Sequence, residues 1–183
     1  MERLKHRDEL PKFFIDKGYK VGAEIGSLKG EFTEKFCKAG LKIYAIDPWI
    51  GFSGQGRTQK HQEIQNKYYD EAKKRLTPYT NCKIIRKTSM DALEDFKDGS
   101  LDFVYIDGAH DFRHIAEDIY EWNKKIKSGG AISGHDYFNT IPTASNIVCN
   151  VKAVLDAYVK AFDIKNLYIL SGEKYKSWIW IKE

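Results

Sequence analysis

Four side chains able to hold or move a proton fall at two places in the chain. Asp107 and His110 lie in YIDGAH at 105–110, and His135 and Asp136 lie in GHDY at 134–137. Each pair follows an apolar run, Leu101–Ile106 or Ala131–Ser133, that reads as a buried strand. Neighbouring parallel strands put their carboxyl ends on one rim, so all four groups can converge there. Two carboxylates and two imidazoles at one point can hold a divalent cation or form an acid/base pair. Taken singly, the acids also suit caps of the following segments and the histidines suit structural hydrogen bonds. Convergence of all four makes chemistry the stronger reading.

A second constellation concerns binding. VGAEIGSLKG at 21–30 is an apolar run ending in Glu24, followed by a turn with Gly26 and Gly30. IYAID at 43–47 is another apolar run, and it ends in Asp47. Strand, glycine turn, helix, strand and acid, with the acid about twenty residues past the turn, is how a parallel sheet builds a nucleoside pocket. Gly26 can take a backbone conformation that other residues resist and lets a ligand approach, and Gly30 permits close helix packing on the strand. Asp47 is placed to accept hydrogen bonds from ribose hydroxyls. A dinucleotide fingerprint would have glycine where this chain has Glu24. A carboxylate there repels a diphosphate and suits a cationic, amine-bearing ligand. That favours S-adenosylmethionine over NAD.

On these residues the chain resembles the class I S-adenosylmethionine-dependent methyltransferases. E-I-G-S-L-K-G at 24–30, which includes Ser27, resembles that family's acidic-x-Gly-x-x-x-Gly motif, and Asp47 matches its ribose-binding acid. By the same resemblance Ser89 and Met90, just after the third strand, fall where the family contacts adenine, and Asp107 borders the cofactor. The likeness runs over roughly residues 20–183. IDGAH followed by GHDY is similar to a subgroup of small-molecule O-methyltransferases that includes catechol-type and macrolide-sugar enzymes. The resemblance implies that Asp107 and Asp136 are ligands of magnesium and that His110 is the base that removes a hydroxyl proton from the acceptor. His135 departs from the pattern, since the metal-dependent relatives carry Asp or Glu there. With His135 as a third ligand the metal would be borderline, such as manganese, zinc or iron. The carboxylates alone with waters, or no metal, are the other two readings.

The elements that must position these residues alternate. Strands are expected at Val21–Ile25, Leu41–Ile46, Cys82–Ile85, Leu101–Ile106 and Ala131–Ser133. Helices are expected at Lys29–Ala39, Gln59–Leu76, Met90–Phe96 and over the stripe Ile115, Ile119, Trp122, Ile126, which Ser128-Gly129-Gly130 would stop. A further helix carries Ile147, Val151, Val154, Leu155, Tyr158, Val159 and Phe162. Leu4, Leu10, Phe13 and Phe14 give an N-terminal helix one apolar face. Leu167–Leu170 and Trp178–Ile181 stand too close together for a helical crossover and read as an antiparallel hairpin. The expected fold class is α/β: a three-layer Rossmann-like methyltransferase sheet, mostly parallel, with an antiparallel C-terminal hairpin strand. Residues 51–80 interrupt the alternation and read as a substrate insertion, with the glycine-rich Gly51–Arg57 as its lid.

At 183 residues the chain reads as a single domain, 1–183. The formal charge is +4 and the lysines are scattered, which argues against a nucleic-acid groove. Nor does the end of the fourth strand carry the Pro-Pro-aromatic stretch typical of DNA amino-methyltransferases. Cys37, Cys82 and Cys149 have neither zinc nor disulfide spacing, and reduced thiols fit a cytoplasmic protein. The charged N-terminus does not read as a signal peptide, and no apolar run is long enough to span a membrane. The expected partner is a small-molecule hydroxyl acceptor. A homodimer suits such a fold, with no residue here arguing for it. An NAD- or nucleotide-dependent enzyme, a nucleic-acid methyltransferase and a non-catalytic binding module are the competing readings.

Overall fold

A computed structural model describes residues 4–51, 59–140 and 148–183, with only the backbone for 59 and 60. Most of the expected lid, and Ile147, lie outside the described residues. Seven strands form one sheet: β1 (Val21–Ile25), β2 (Lys42–Ile46), β3 (Cys82–Ile85), β4 (Leu101–Ile106), β5 (Ile126–Gly134), β6 (Tyr168–Leu170) and β7 (Ser177–Ile181). Their order is β3-β2-β1-β4-β5-β7-β6. The first five are parallel, and β7 runs antiparallel between β5 and β6. Chain direction therefore brings the carboxyl ends of β1, β2, β4 and β5 to one rim. The strand order steps outward from β1 in both directions, which makes that rim the topological switch point where such sheets bind ligands.

Both faces of the sheet are covered, and this is why the parallel strands read as apolar runs without alternation. On one face Phe14 of α1 (Leu10–Asp16) stacks on Phe103 at 4.3 Å, and Phe36 of α2 (Glu31–Lys38) packs beside it. On the other face Ile119 and Trp122 of α5 (Phe112–Lys125) pack with Val154 and Leu155 of α6 (Val151–Ala161). Helix α3 (Gln59–Leu76) has the expected bounds. Leu76 meets the glycine turn, Tyr69 packs on Trp49 at 4.8 Å, and Arg75 donates to the Lys29 carbonyl. Among the described residues no helix is long and apolar enough to cross a membrane.

Four expectations need correction. Helix α2 starts at Glu31 rather than Lys29, because Gly30 is its N-cap in the left-handed region with φ 73°. The N-terminal stretch is a 3-10 turn, Arg7–Glu9, capped by the His6 side chain, and α1 begins only at Leu10, with Pro11 in its first turn. The expected helix at Met90–Phe96 is a short α4 (Ser89–Ala92) followed by a 3-10 turn. Finally, Ser128-Gly129-Gly130 does not stop α5. Ile126 is already extended (φ −88°, ψ 134°) and paired with Leu101, and the glycines lie inside β5. Gly129 is left-handed (φ 76°), and the register shifts between Leu101 and Phe103 to absorb the irregularity. Lys182 caps the end of the helix, its Nζ donating to the carbonyls of Asn123 and Ile126.

Candidate functional site

The rim encloses a cleft of about 1210 Å³. Its floor is the turn after β1. Gly26 has φ 89°, and a Cβ there would come within 2.1 Å of the Asp107 carbonyl oxygen. The glycine thus admits the neighbouring strand end, where the sequence suggested close approach of a ligand. Gly30 likewise makes room for Leu76 of α3 rather than for the strand. Asp47 ends β2 and lies against this turn. Its Oδ2 accepts the Leu28 amide at 3.0 Å and its Oδ1 accepts the Trp49 amide at 2.7 Å. Leu28 (φ 45°) and Trp49 (φ 46°) are both left-handed, so the carboxylate holds two strained residues in place.

Glu24 lies beneath the turn, 2% exposed, and still borders the cleft. Thr33 and Ser27 donate their hydroxyls to its Oε2. Burial outweighs those hydrogen bonds and pushes its pKa up to about 8. Burial therefore favours its protonated form.

Ser89 and Met90 border the cleft beyond Asp47. Ser89 is the middle of a chain in which Trp122 Nε1 donates to Ser89 Oγ at 2.7 Å and Ser89 Oγ donates to Asp118. Asp118, on α5, is 3% exposed, and burial pushes it up to about 6. Sequence reasoning missed it, although a signal was there: an acid three residues after Ile115 and four before Trp122, on the apolar face of its helix.

The expected acid–imidazole cluster does assemble. Asp107 follows β4, and His135 and Asp136 follow β5. His110 Nε2 lies 2.6 Å from Asp136 Oδ2 and 3.9 Å from Asp107 Oδ1. His135 Nδ1 lies 3.3 Å from Asp136 Oδ1 and 3.9 Å from Asp107 Oδ1. Two residues unseen in the sequence complete the set. Glu173, in the β6–β7 turn, stands 3.6 Å from His135 Nε2, and Arg7 stands 3.4 Å from Asp107 Oδ2. No local pattern could reveal this contact between segments 166 residues apart.

Burial raises Asp107, and the neighbouring His135 charge only partly offsets it. For Asp136 burial is outweighed by hydrogen bonds from His110 and His135, which hold it well below the usual carboxylate range. Burial disfavours the charged form of both rings, yet Asp136 raises both above the ordinary histidine value. Asp136 is itself left-handed (φ 58°), backbone strain of the kind that collects at functional sites. Three atoms, one each from Asp107, His110 and Asp136, come within 4.8 Å of one another and could hold a metal ion. His135, the imidazole chosen from sequence, is outside that triad and adjacent to it.

Other side chains near the rim pack or cap. Trp49 is fully buried and donates to the Leu28 carbonyl, and Asp111 caps α5. Tyr137 donates to Asp156, and Phe138 packs on Tyr175.

A family described as a methyltransferase domain matches residues 23–137, which contain the glycine turn, Asp47 and, of the acid–imidazole cluster, Asp107, His110, His135 and Asp136. The chain belongs to this family of S-adenosylmethionine-dependent methyltransferases. Solved structures agree on the fold. An O-methyltransferase from Bacillus cereus in complex with S-adenosylhomocysteine has a TM-score of 0.61 at 18% identity, over 96% of this chain and 80% of that one. The O-methyltransferase TomG of Streptomyces achromogenes, in complex with S-adenosylmethionine, has a TM-score of 0.65 at 11% identity, over 96% and 79%. A Staphylococcus aureus protein described as a caffeoyl-CoA O-methyltransferase candidate gives 0.66 at 16%, over 96% and 82%. At these identities the likeness establishes fold alone. The curated protein y4gI of Sinorhizobium fredii (strain NBRC 101917 / NGR234) is 25% identical over 124 residues, 62% of this chain and 12% of that protein. This methyltransferase thus spans a small part of that relative.

Proposed function

We propose that this methyltransferase transfers the methyl group of S-adenosylmethionine to a hydroxyl oxygen of a small molecule. The observation that carries the reading is His110 Nε2 at 2.6 Å from Asp136, beside Asp107, on the same rim as Asp47 and the glycine turn. Adenosine would lie between Asp47, which binds ribose, and Ser89, Met90 and Asp118 at the adenine. The carboxylate of Asp118 is an acceptor-only group suited to an exocyclic amine. Gly26, Ser27 and Gly30 shape the turn under the methionyl end, and ionised Glu24 faces its positive charge.

With Nε2 held by Asp136, neutral His110 takes the acceptor's hydroxyl proton at its other ring nitrogen, and Asp136 stabilises the imidazolium that forms. Asp107 and Asp136 keep the acceptor oxygen in line with the methyl carbon. The cofactor supplies the methyl group, and the C–S electron pair returns to sulfur as the O–C bond forms.

A divalent cation fits this donor set. Asp107 and Asp136 would hold it, and His135 Nδ1, now 3.3 Å from Asp136 and outside the triad, would have to move in as third donor, with Glu173 at its Nε2 to orient the ring. With an imidazole present, manganese or zinc suits the donors better than magnesium. Such a cation would lower the pKa of the hydroxyl. His110 then keeps the base role. The three cysteines are free, which supports a cytoplasmic setting.

The test is methyl transfer from labelled S-adenosylmethionine to a panel of catechols, phenols and sugars, with manganese, with magnesium and with chelator. Transfer to an oxygen that disappears in His110→Gln supports the reading. Transfer only to nucleic acid or to nitrogen overturns it.

A further inference from the structure

S-adenosylmethionine ends in a zwitterion, and its carboxylate needs a cation that nothing above assigns. Four side chains lining the cleft are cationic: Arg7, Lys29, Lys35 and Arg113. Lys29 turns to α3, with Glu71 at 3.2 Å and the Tyr68 ring at 4.8 Å. Arg113 is paired with Glu117 along α5, at the adenine end. Lys35 is held by Asp8 at 2.5 Å. Arg7 differs from all three. Its guanidinium lies 5.2 Å from the ring centroid of Phe32, on the first turn of α2, and both residues line the cleft together with Glu24. Its ion-pair contacts are long, 3.4 Å to Asp107 and 3.6 Å to Glu173, where a strong guanidinium–carboxylate contact is about 2.8 Å. A planar fork of five donors therefore stands beside the site with only long contacts to Asp107 and Glu173, and the Tyr105 hydroxyl beside it, contacts that a closer carboxylate would replace.

The N-terminal segment that carries Arg7 is fastened in place. The Gly172 amide donates to the Lys5 carbonyl at 2.7 Å, the Arg7 amide donates to Glu173 Oε1 at 3.3 Å, and Asp8 pairs with Lys35. The guanidinium is thus presented by backbone contacts that do not depend on its own side chain. We propose that Arg7 is the counter-ion of the cofactor's carboxylate, binding it through the guanidinium fork. Glu24 and Arg7 then form a matched pair, with the acid for the ammonium and the cation for the carboxylate. This makes the N-terminal segment, which precedes the matched family region, part of the cofactor site. The proposal rests on the methyltransferase reading above.

The test is calorimetric titration of the full chain with S-adenosylmethionine and with its decarboxylated form, which keeps the sulfonium and the amine. Wild-type protein is expected to prefer the carboxylated ligand by about tenfold or more. Arg7→Gln should bring the two affinities within about twofold by weakening only the carboxylated one, and Arg7→Lys should restore part of the preference. Unliganded melting curves check that Arg7→Gln folds. The proposal is overturned if Arg7→Gln weakens both ligands equally, if it leaves the preference intact, or if Lys35→Gln removes the preference instead. Wild-type protein that binds neither ligand would sink the methyltransferase reading itself, a result distinct from the other three.

Discussion

Asp47 is fastened to Leu28. Its Oδ2 accepts the Leu28 amide at 3.0 Å, so the acid at the end of β2 and the glycine turn after β1 are one unit. The second carboxylate oxygen does the same for Trp49. A residue that reads in the sequence as a ribose ligand is thus also a structural clamp on two left-handed residues.

Asp47→Ala should therefore do two things at once. It removes the acceptor of two amides, each a hydrogen bond to a charged group, and should destabilise the fold by about 2–4 kcal/mol. It should also abolish measurable cofactor binding. Asp47→Asn separates the two effects, because its carbonyl can still accept one amide. Denaturant unfolding and calorimetry on both variants give the check. If Asp47→Asn binds as weakly as Asp47→Ala yet unfolds at nearly wild-type denaturant concentration, the ribose role stands apart from the clamp.

The order of strands and the four chemical residues were legible because parallel strands buried on both faces leave continuous apolar runs. Asp47, Asp107 and His135–Asp136 directly follow the runs of β2, β4 and β5. What stayed hidden follows from longer-range causes. Ile126 satisfies the helical stripe of α5, but pairing with Leu101 pulls it into the sheet, a tertiary contact that outweighs local periodicity. Arg7 and Glu173 meet only because the β6–β7 turn folds back over the N-terminal segment, and neither has a motif. The sequence set Glu24 in the first strand, beside the glycine turn, but could not give its protonation state, since that depends on its burial.

Glu24 leads to a proton-linkage prediction. Its pKa of about 8 in the free protein should fall when the cofactor's positive charge arrives. The protonated fraction must then be lost, so binding at pH 7 should release close to one proton. Titrations in buffers of different ionisation enthalpy measure this directly. Glu24→Gln should bind more weakly and release none. An unchanged proton count in that variant would assign the release to another group.

Gly26 gives a prediction about packing. With φ 89° and the Asp107 carbonyl 2.1 Å from where a Cβ would sit, Gly26→Ala must move the turn or the end of β4. The cost should be about 3 kcal/mol or more, from strain added to the clash. Because the displaced atom belongs to Asp107, methyl transfer should fall even at temperatures where the variant remains folded. Gly40→Ala, also left-handed at φ 87° but with open space around it, is the matched control and should cost only the backbone strain. Parallel melting and activity measurements separate the two.

Asp118 sets a pH dependence of stability. Burial raises its carboxyl from the ordinary 3.8 to about 6 in the folded chain. A carboxyl raised on folding binds its proton more tightly in the native state. Its favourable contribution is therefore complete below pH 3.8, declines as pH rises to about 6, and is absent above that. Replacing it with a neutral isostere should remove that decline. At pH 7 Asp118→Asn should be more stable than wild type by about 3 kcal/mol, since a tenfold change in proton affinity on folding is worth about 1.4 kcal/mol. The amide oxygen can still accept from Ser89 Oγ, so the chain from Trp122 survives. Below pH 4 the two proteins should unfold alike. Unfolding free energies from pH 4 to 7 decide it: parallel curves would mean that folding does not raise the Asp118 carboxyl, and burial as the control of its titration would have to be withdrawn.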